Sequence, residues 1–159
     1  DLRFAGAFEQ VVVEAGLAGN LYALSAPFVA KIRHAGIRLP VGLVGEDSLV
    51  GALAKWNLDA EMPWNNARIV CAEGAEFAFE SLSPFNPRDW HTYWRRLIRY
   101  KIRAYQNQLI RELLRRDGLA AMPRSVGDLY RRSDLDSLHW LGRDAPISLM
   151  ALSQMRRSL

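Results

Sequence analysis

Two adjacent carboxylates in front of an apolar run are the residues of this chain best suited to chemistry. Glu46 and Asp47 follow Gly45 and lie just ahead of the run that begins at Ser48. A carboxylate at the mouth of a helix can lie in a cleft and act as a general base, while its neighbour satisfies backbone donors at the helix N-terminus. The alternative is that Asp47 is only a helix cap without chemistry.

A concentration of cations further along the chain is the second such feature. Residues 88–116 contain nine Lys or Arg residues and two acidic residues, although the whole chain has a net charge of only +4. This segment indicates an anionic partner, which could be a phosphate group, nucleic acid or anionic lipid. Its apolar residues recur at helical spacing, at Trp90, Trp94, Ile98, Ile102, Tyr105, Leu109 and Leu113. The pattern predicts one long helix that ends at Gly118.

Other candidate sites favour structural roles. The single cysteine, Cys71, excludes an internal disulfide and a cysteine-based zinc site, and its apolar surroundings predict a small buried side chain. The triplet from Asp134 to Asp136 has a spacing able to hold Mg²⁺ or Mn²⁺, but its polar context favours a surface cap.

The elements that must position these residues alternate between strands and helices. Short strands are predicted at residues 11–13, 19–25, 68–72 and 76–82, and helices at 27–34, 48–56, 88–116, 126–131 and 145–157. The expected fold class is therefore α/β. We divide the chain into an α/β part (residues 1–85), the long basic amphipathic helix (86–118) and a helical C-terminal extension (119–159).

Three features over residues 15–105 resemble the second half of a family-2 glycosyltransferase. The segment 18–24, Ala-Gly-Asn-Leu-Tyr-Ala-Leu, is similar to the strand that follows the donor site in that family. The segment 35–40, Ala-Gly-Ile-Arg-Leu-Pro, leads into Gly45-Glu46-Asp47, which is similar to the family's Glu-Asp motif. The aromatic and arginine-rich helix lies where many members carry Gln-x-x-Arg-Trp.

The resemblance implies the C-terminal, acceptor-side half of a GT-A fold, with a mixed sheet and flanking helices. Asp47 would then be the base that deprotonates the acceptor hydroxyl in an inverting displacement, and Glu46 would orient the acceptor or cap the helix. The remaining residues that the resemblance assigns to substrate binding are Gly19, Asn20, Tyr22, Trp94, Arg95, Arg96 and Arg99. The three arginines would stabilise the leaving diphosphate.

The same resemblance implies partners that this chain does not contain. The full-length enzyme would use a divalent cation, Mg²⁺ or Mn²⁺, with ligands outside this chain, and a nucleotide-binding part would precede Asp1 in the same protein. We therefore expect the chain to be inactive alone. The acceptor would be a lipid or a polysaccharide, and the basic helix predicts association with the cytoplasmic face of a membrane. The alternative is a non-catalytic α/β module whose basic helix binds nucleic acid or anionic lipid.

Overall fold

Five α-helices and three short 3₁₀ turns make up the regular structure of the described residues. A computed structural model describes residues 16–17, 19, 21–72, 82–83, 85–138 and 145–159. Within these ranges α1 spans Ala26–His34, α2 Glu46–Lys55, α3 Pro87–Asp117, α4 Val126–Arg131 and α5 Ala145–Arg156. Short 3₁₀ turns lie at Asn66–Arg68, Leu119–Ala121 and Leu135–Ser137. The five predicted helices are therefore confirmed, with ends that differ by one or two residues.

Local sequence explains where the long helix α3 begins and ends. The side chain of Asn86 accepts a hydrogen bond from the backbone N–H of Arg88, and Pro87 occupies the first turn, where its missing N–H costs nothing. Gly118 follows the last turn with φ at +74°, a conformation that favours glycine. With 31 residues, α3 is about 46 Å long at the usual rise per residue.

One hydrophobic core joins four of these helices. Its buried side chains come from α2, the second half of α3, α4 and α5, together with Trp56, Leu135 and Leu138 near the helix ends. Leu53, Leu109 and Leu129 are among the residues with almost no exposed surface. Burial of a leucine side chain stabilises the folded state by roughly 1.5–3 kcal/mol. Side chains from both sides of residue 118 therefore share the same core.

The prediction of an α/β fold with a mixed sheet is wrong. Helices account for 61% of the described residues, and no strand occurs among them, so the GT-A-like architecture is overturned. Only an isolated parallel bridge between Val41 and Ser125 has β geometry with both partners described. The predicted strands at 11–13 and, except for Leu82, 76–82 lie outside the described residues.

Two of the predicted strands do lie within the described part of the chain, and neither forms. Where residues 19–25 are described they form no strand, and Leu21 and Tyr22 are exposed. In residues 68–72, Val70 is 85% exposed and Cys71 is also exposed, so the prediction of a buried cysteine is wrong too. An apolar run becomes a strand only where a neighbouring strand or core face covers it.

Candidate functional site

The loop before α2 places Asp47 inside the protein. Gly45 is the residue that caps the helix, with φ at +81°, and it supplies no side chain to the helix amides. Asp47 lies in the first turn and is only 4% exposed, whereas Glu46 is exposed. The carboxylate does not serve as a simple N-cap, because its hydrogen bond goes to another helix.

Arg103 of α3 is the partner of that carboxylate. Its Nη2 lies 2.9 Å from Asp47 Oδ2, and its Nε donates to Ser48 Oγ at 2.9 Å. Nη2 also contacts Ser48 Oγ. The stem of Arg103 passes over Gly45, where an added Cβ would lie 2.5 Å from both Cδ and Nε. The arginine therefore joins α2 to α3 and fixes the orientation of the Asp47 carboxylate.

A buried glutamine fixes the loop that leads to Asp47. Gln106 is 1% exposed, and its Oε1 accepts a hydrogen bond of 2.8 Å from the backbone N–H of Val44. Its Nε2 donates to the hydroxyl of Tyr130 on α4 at 2.6 Å. Burial raises the pKa of Tyr130, and the hydrogen bond with Gln106 opposes that rise. This network holds the approach to α2 against both α3 and α4.

A cavity of about 270 Å³ lies between α2 and α3 next to this carboxylate. Polar side chains, apolar side chains and two indole rings all contribute to its walls. The lining residues are Gly16, Leu17, Asp47, Ser48, Leu49, Gly51, Ala52, Lys55, Trp56, Trp64, Arg103, Asn107, Ile110 and Arg111. A small polar ligand in this space would contact Asp47.

The charges around the cavity are unequal. Asp47 is the one carboxylate among the described lining residues, and it faces three cations, Lys55, Arg103 and Arg111. Lys55 is 5% exposed, and its Nζ lies 4.7 Å from the centre of the Trp64 ring. Trp64 in turn meets Trp56 edge to face, with ring centres 5.4 Å apart. Among the described lining residues, the cavity thus combines basic and aromatic side chains with one buried carboxylate.

The structure brings some of the predicted site residues together and leaves others apart. Gly19 lies against Asp47, since a Cβ added to it would be 3.0 Å from Asp47 Oδ2. Tyr22 is exposed and does not line the cavity, and Asn20 lies outside the described residues. Four predicted residues lie on the first half of α3 and do not line the cavity either: Trp94, Arg95, Arg96 and Arg99. Arg99 is one helical turn before Arg103.

Sequence reasoning missed the other polar residues of the cavity. Arg103, Asn107 and Arg111 recur at four-residue spacing on α3, which places them along one side of the helix. Lys55 likewise follows Gly51 and Asp47 at intervals of four on α2. These spacings were the available signal, but they do not tell which side of each helix faces the other.

The triplet from Asp134 to Asp136 is the carboxylate pattern in the sequence whose spacing suits a divalent cation. Across the described ranges, no group of three or more His, Cys, Asp or Glu side chains lies close enough to hold a metal ion. The predicted surface role of the Asp134–Asp136 triplet is confirmed, because the Asp134 carboxylate accepts a hydrogen bond from the backbone N–H of Asp136.

Comparisons of the chain with protein-family models, curated proteins and solved structures found no match. The likeness to family-2 glycosyltransferases accordingly depends on the sequence motifs alone. In the part of the chain that the structure describes, no helix has both the length and the apolar character needed to cross a bilayer.

Proposed function

We propose that this chain is the acceptor-side part of an inverting glycosyltransferase, which transfers a sugar from a nucleotide-sugar to a lipid or polysaccharide acceptor. One observation carries the proposal. The Asp47 carboxylate is 4% exposed, is held by Arg103 at 2.9 Å and forms part of a cavity wall. A carboxylate that is fixed in place and reachable from a cavity meets the geometric requirement for a general base.

The chemistry assigned to this chain is a single proton transfer. As the acceptor hydroxyl oxygen forms its bond to the anomeric carbon, the Asp47 carboxylate takes the hydroxyl proton. The bond between the anomeric carbon and the diphosphate oxygen breaks on the opposite face, and its electron pair leaves with the nucleoside diphosphate. Arg103 contacts Oδ2, and no hydrogen bond to Oδ1 occurs among the described residues, so Oδ1 is the oxygen offered to the hydroxyl.

The remaining requirements are assigned to other parts of the protein. The nucleotide-binding part and the divalent cation, Mg²⁺ or Mn²⁺, would come from outside this chain. Arg99 and Arg96 lie on the same side of α3 as Arg103, one and two turns nearer the helix start respectively, and would meet the leaving diphosphate there. We place the enzyme at the cytoplasmic face of a membrane, where a lipid-linked acceptor would be available.

The substitution Asp47→Asn in the protein that carries both halves tests the proposal. Loss of the base should lower the rate of sugar transfer by about 10²-fold or more, while binding of the nucleotide-sugar is retained. Glu61→Gln is the matched control, because this carboxylate is exposed and does not line the cavity. Transfer at the wild-type rate by the Asp47→Asn protein would refute the proposal.

A second candidate function is a non-catalytic module that binds anionic lipid or nucleic acid. It is favoured by the exposed aromatic and basic residues at the start of α3. Phe85 is 93% exposed, Trp90 61% and Trp94 41%, and Arg95 and Arg99 are exposed near them. Tryptophan and arginine suit the headgroup region of a bilayer, and the same residue types bind single-stranded nucleic acid.

The two functions differ in which substitutions have an effect. For the non-catalytic module, Asp47→Asn should change nothing, whereas charge reversal at Arg95, Arg96 and Arg99 should abolish binding. Sedimentation with phosphatidylglycerol vesicles, with phosphatidylcholine vesicles as the neutral control, measures the lipid interaction. Titration with a single-stranded oligonucleotide measures the nucleic-acid interaction. Loss of transfer in the Asp47→Asn protein decides in favour of the enzyme.

A further inference from the structure

We propose that a second cavity, between the end of α1 and the turn that follows α2, binds the phosphate group of a small molecule. Its volume is about 660 Å³. Its lining residues are Ala30, Lys31, His34, Asn57 and Leu58. Among the described residues it shares no wall with the cavity beside Asp47, so this inference does not depend on the proposed function.

Two cations from different elements meet at one uncharged oxygen in this cavity. Lys31 Nζ on α1 donates to Asn57 Oδ1 at 3.3 Å, and Arg68 Nη1 in the first 3₁₀ turn donates to the same atom at 3.0 Å. The two charged nitrogens therefore lie within about 6 Å of each other, close enough for like charges to repel. An amide oxygen offsets this repulsion only in part, because it has no net charge with which to neutralise either cation.

No carboxylate of the described residues neutralises these two cations. The ion pairs that those residues form include neither Lys31 nor Arg68. Asp59 is the acidic residue nearest to Asn57 in the sequence, and its Oδ1 accepts a hydrogen bond of 3.0 Å from the backbone N–H of Glu61. The helix dipole favours a lysine in the last turn of α1, but it does not bring a cation of another element to the same oxygen. A phosphate, which has up to two negative charges and three or more acceptor oxygens, suits such a pair of cations.

The backbone fixes the Asn57 side chain in this position. Asn57 and Leu58 both have positive φ, 55° and 64°, which asparagine tolerates and leucine rarely adopts. Their backbone N–H groups donate to the carbonyl groups of Ala54 and Leu53 at the end of α2, and the Leu58 side chain packs against the core. Strained backbone of this kind persists only where its surroundings hold it, and it is frequent where proteins clamp a ligand.

The other walls of the cavity suit a phosphate ester. His34 is exposed in the last turn of α1, and its imidazole has at least one N–H donor in either protonation state. The Asn57 amide has a donor group as well, because only its oxygen contacts the two cations. Ala30 and Leu58 provide apolar surface, and about 660 Å³ is within the usual range for sites that hold small organic ligands. The group to which the phosphate is esterified would contact this apolar wall.

Titration of the 159-residue chain with inorganic phosphate tests the proposal. Proton NMR follows the imidazole signal of His34, which the variant His34→Gln identifies. Phosphate should shift this signal and saturate the shift, whereas sodium chloride at the same ionic strength should not. Glycerol 3-phosphate and uridine 5′-monophosphate then distinguish a lipid headgroup from a nucleotide as the source. The ester that binds more tightly than inorganic phosphate identifies the source, and equal affinities would show that the phosphate group alone is recognised.

Substitution of the two cations locates the site. Lys31→Met and Arg68→Met should each weaken phosphate binding about tenfold, as expected for the loss of a hydrogen bond between charged groups. Both side chains are exposed, so neither substitution removes a part of the core. Arg33→Met is the matched control, because Arg33 is an exposed cation in the same last turn of α1 that does not line the cavity.

Asn57→Asp tests the charge argument directly. It replaces the amide by a carboxylate of the same size, and aspartate also tolerates positive φ. The new carboxylate should pair with both cations, so that Tm without phosphate rises and phosphate binds about tenfold or more weakly. Phosphate should raise the Tm of the wild type, because a ligand that binds only the folded state stabilises it, and this rise should be lost in Asn57→Asp.

The outcomes are distinct from those that test the proposed function. A His34 signal that responds equally to phosphate and to chloride would overturn the proposal. So would a phosphate affinity that Lys31→Met and Arg68→Met leave unchanged. Weaker binding in these two variants, with the wild-type affinity in Arg33→Met, would support the site whatever Asp47→Asn does to sugar transfer.

Discussion

Replacement of Gly45 by alanine should lower the unfolding free energy more than the replacement of a glycine by alanine usually does at a position with positive φ. Gly45 has φ at +81°, so alanine there costs about 1 kcal/mol in backbone strain. Its Cβ would also lie 2.5 Å from Cδ and Nε of Arg103, so the arginine must move away from Asp47. Because Asp47 is 4% exposed and Arg103 is partly exposed, weakening their pair should cost about 2 kcal/mol more. The unfolding free energy should therefore fall by about 3 kcal/mol.

Gly36→Ala is the matched control for this experiment. Gly36 also has a positive φ, +64°, but an added Cβ meets no atom within 4 Å. Its replacement should lower the unfolding free energy by about 1 kcal/mol. Urea unfolding followed by circular dichroism measures both losses on a common scale.

The difference between the two glycines is the quantity that tests the argument. If Gly45→Ala and Gly36→Ala destabilise the protein equally, the Arg103 stem does not restrain Gly45, and the account of how Asp47 is held is refuted. In a protein that already carries Arg103→Ala, the additional cost at Gly45 should disappear, since the atoms in the way are gone.

Two further predictions concern the groups around the site. A double-mutant cycle with Asp47→Asn and Arg103→Met, measured by urea unfolding, should give a coupling energy of about 1–2 kcal/mol, and additive effects would contradict the buried pair. Tyr130→Phe should lower the unfolding free energy by about 1 kcal/mol at pH 7, because Gln106 loses a buried acceptor. Burial raises the pKa of Tyr130 in the folded state. Its stabilising effect is therefore complete below the unfolded pKa of about 10 and declines as the pH rises through the folded pKa. The difference in unfolding free energy between the wild type and Tyr130→Phe should therefore narrow above about pH 10. A difference that stays constant with pH would contradict the raised pKa of Tyr130.

The helices could be predicted because their signals are local. Asn86 and Pro87 mark the start of α3, Gly118 marks its end, and the spacing of Ile98, Ile102 and their successors defines its buried side. Capping and periodicity act within a few residues of each other along the chain, so a sequence contains them in full. Trp90 and Trp94 have the same helical spacing but are exposed, so the spacing alone did not predict which residues of α3 are buried.

The absence of strands from the described residues could not be predicted, because whether a run forms a strand depends on residues far away in the chain. The run from Ile69 to Ala72 has the apolar composition of a strand, but Asn65 instead accepts a hydrogen bond from the backbone N–H of Ala67 and starts a 3₁₀ turn. Val70 then lies in solvent. Without a neighbouring strand to complete its backbone hydrogen bonds, an apolar run is not stabilised as a strand.

The candidate site shows the same division between local and distant information. Asp47 was identifiable from its position at the start of a helix, and Gly19, chosen from a separate motif, lies against it. Arg103 was one of nine cations in a single segment, and its role depends on which side of α3 meets α2. That choice follows from the packing of the whole core.

The Gln106 network has a consequence for how the protein can be divided. The backbone of Val41 forms hydrogen bonds with the backbone of Arg124 and Val126. The side chain of Gln106 links the backbone N–H of Val44 to the hydroxyl of Tyr130. Residues beyond Gly118 thus support the segment that leads to Asp47, although none of those that the structure describes lines the cavity. A shortened protein that stops at the end of α3 would keep every described residue of the cavity wall and still lose the contacts that fix the position of the Asp47 carboxylate.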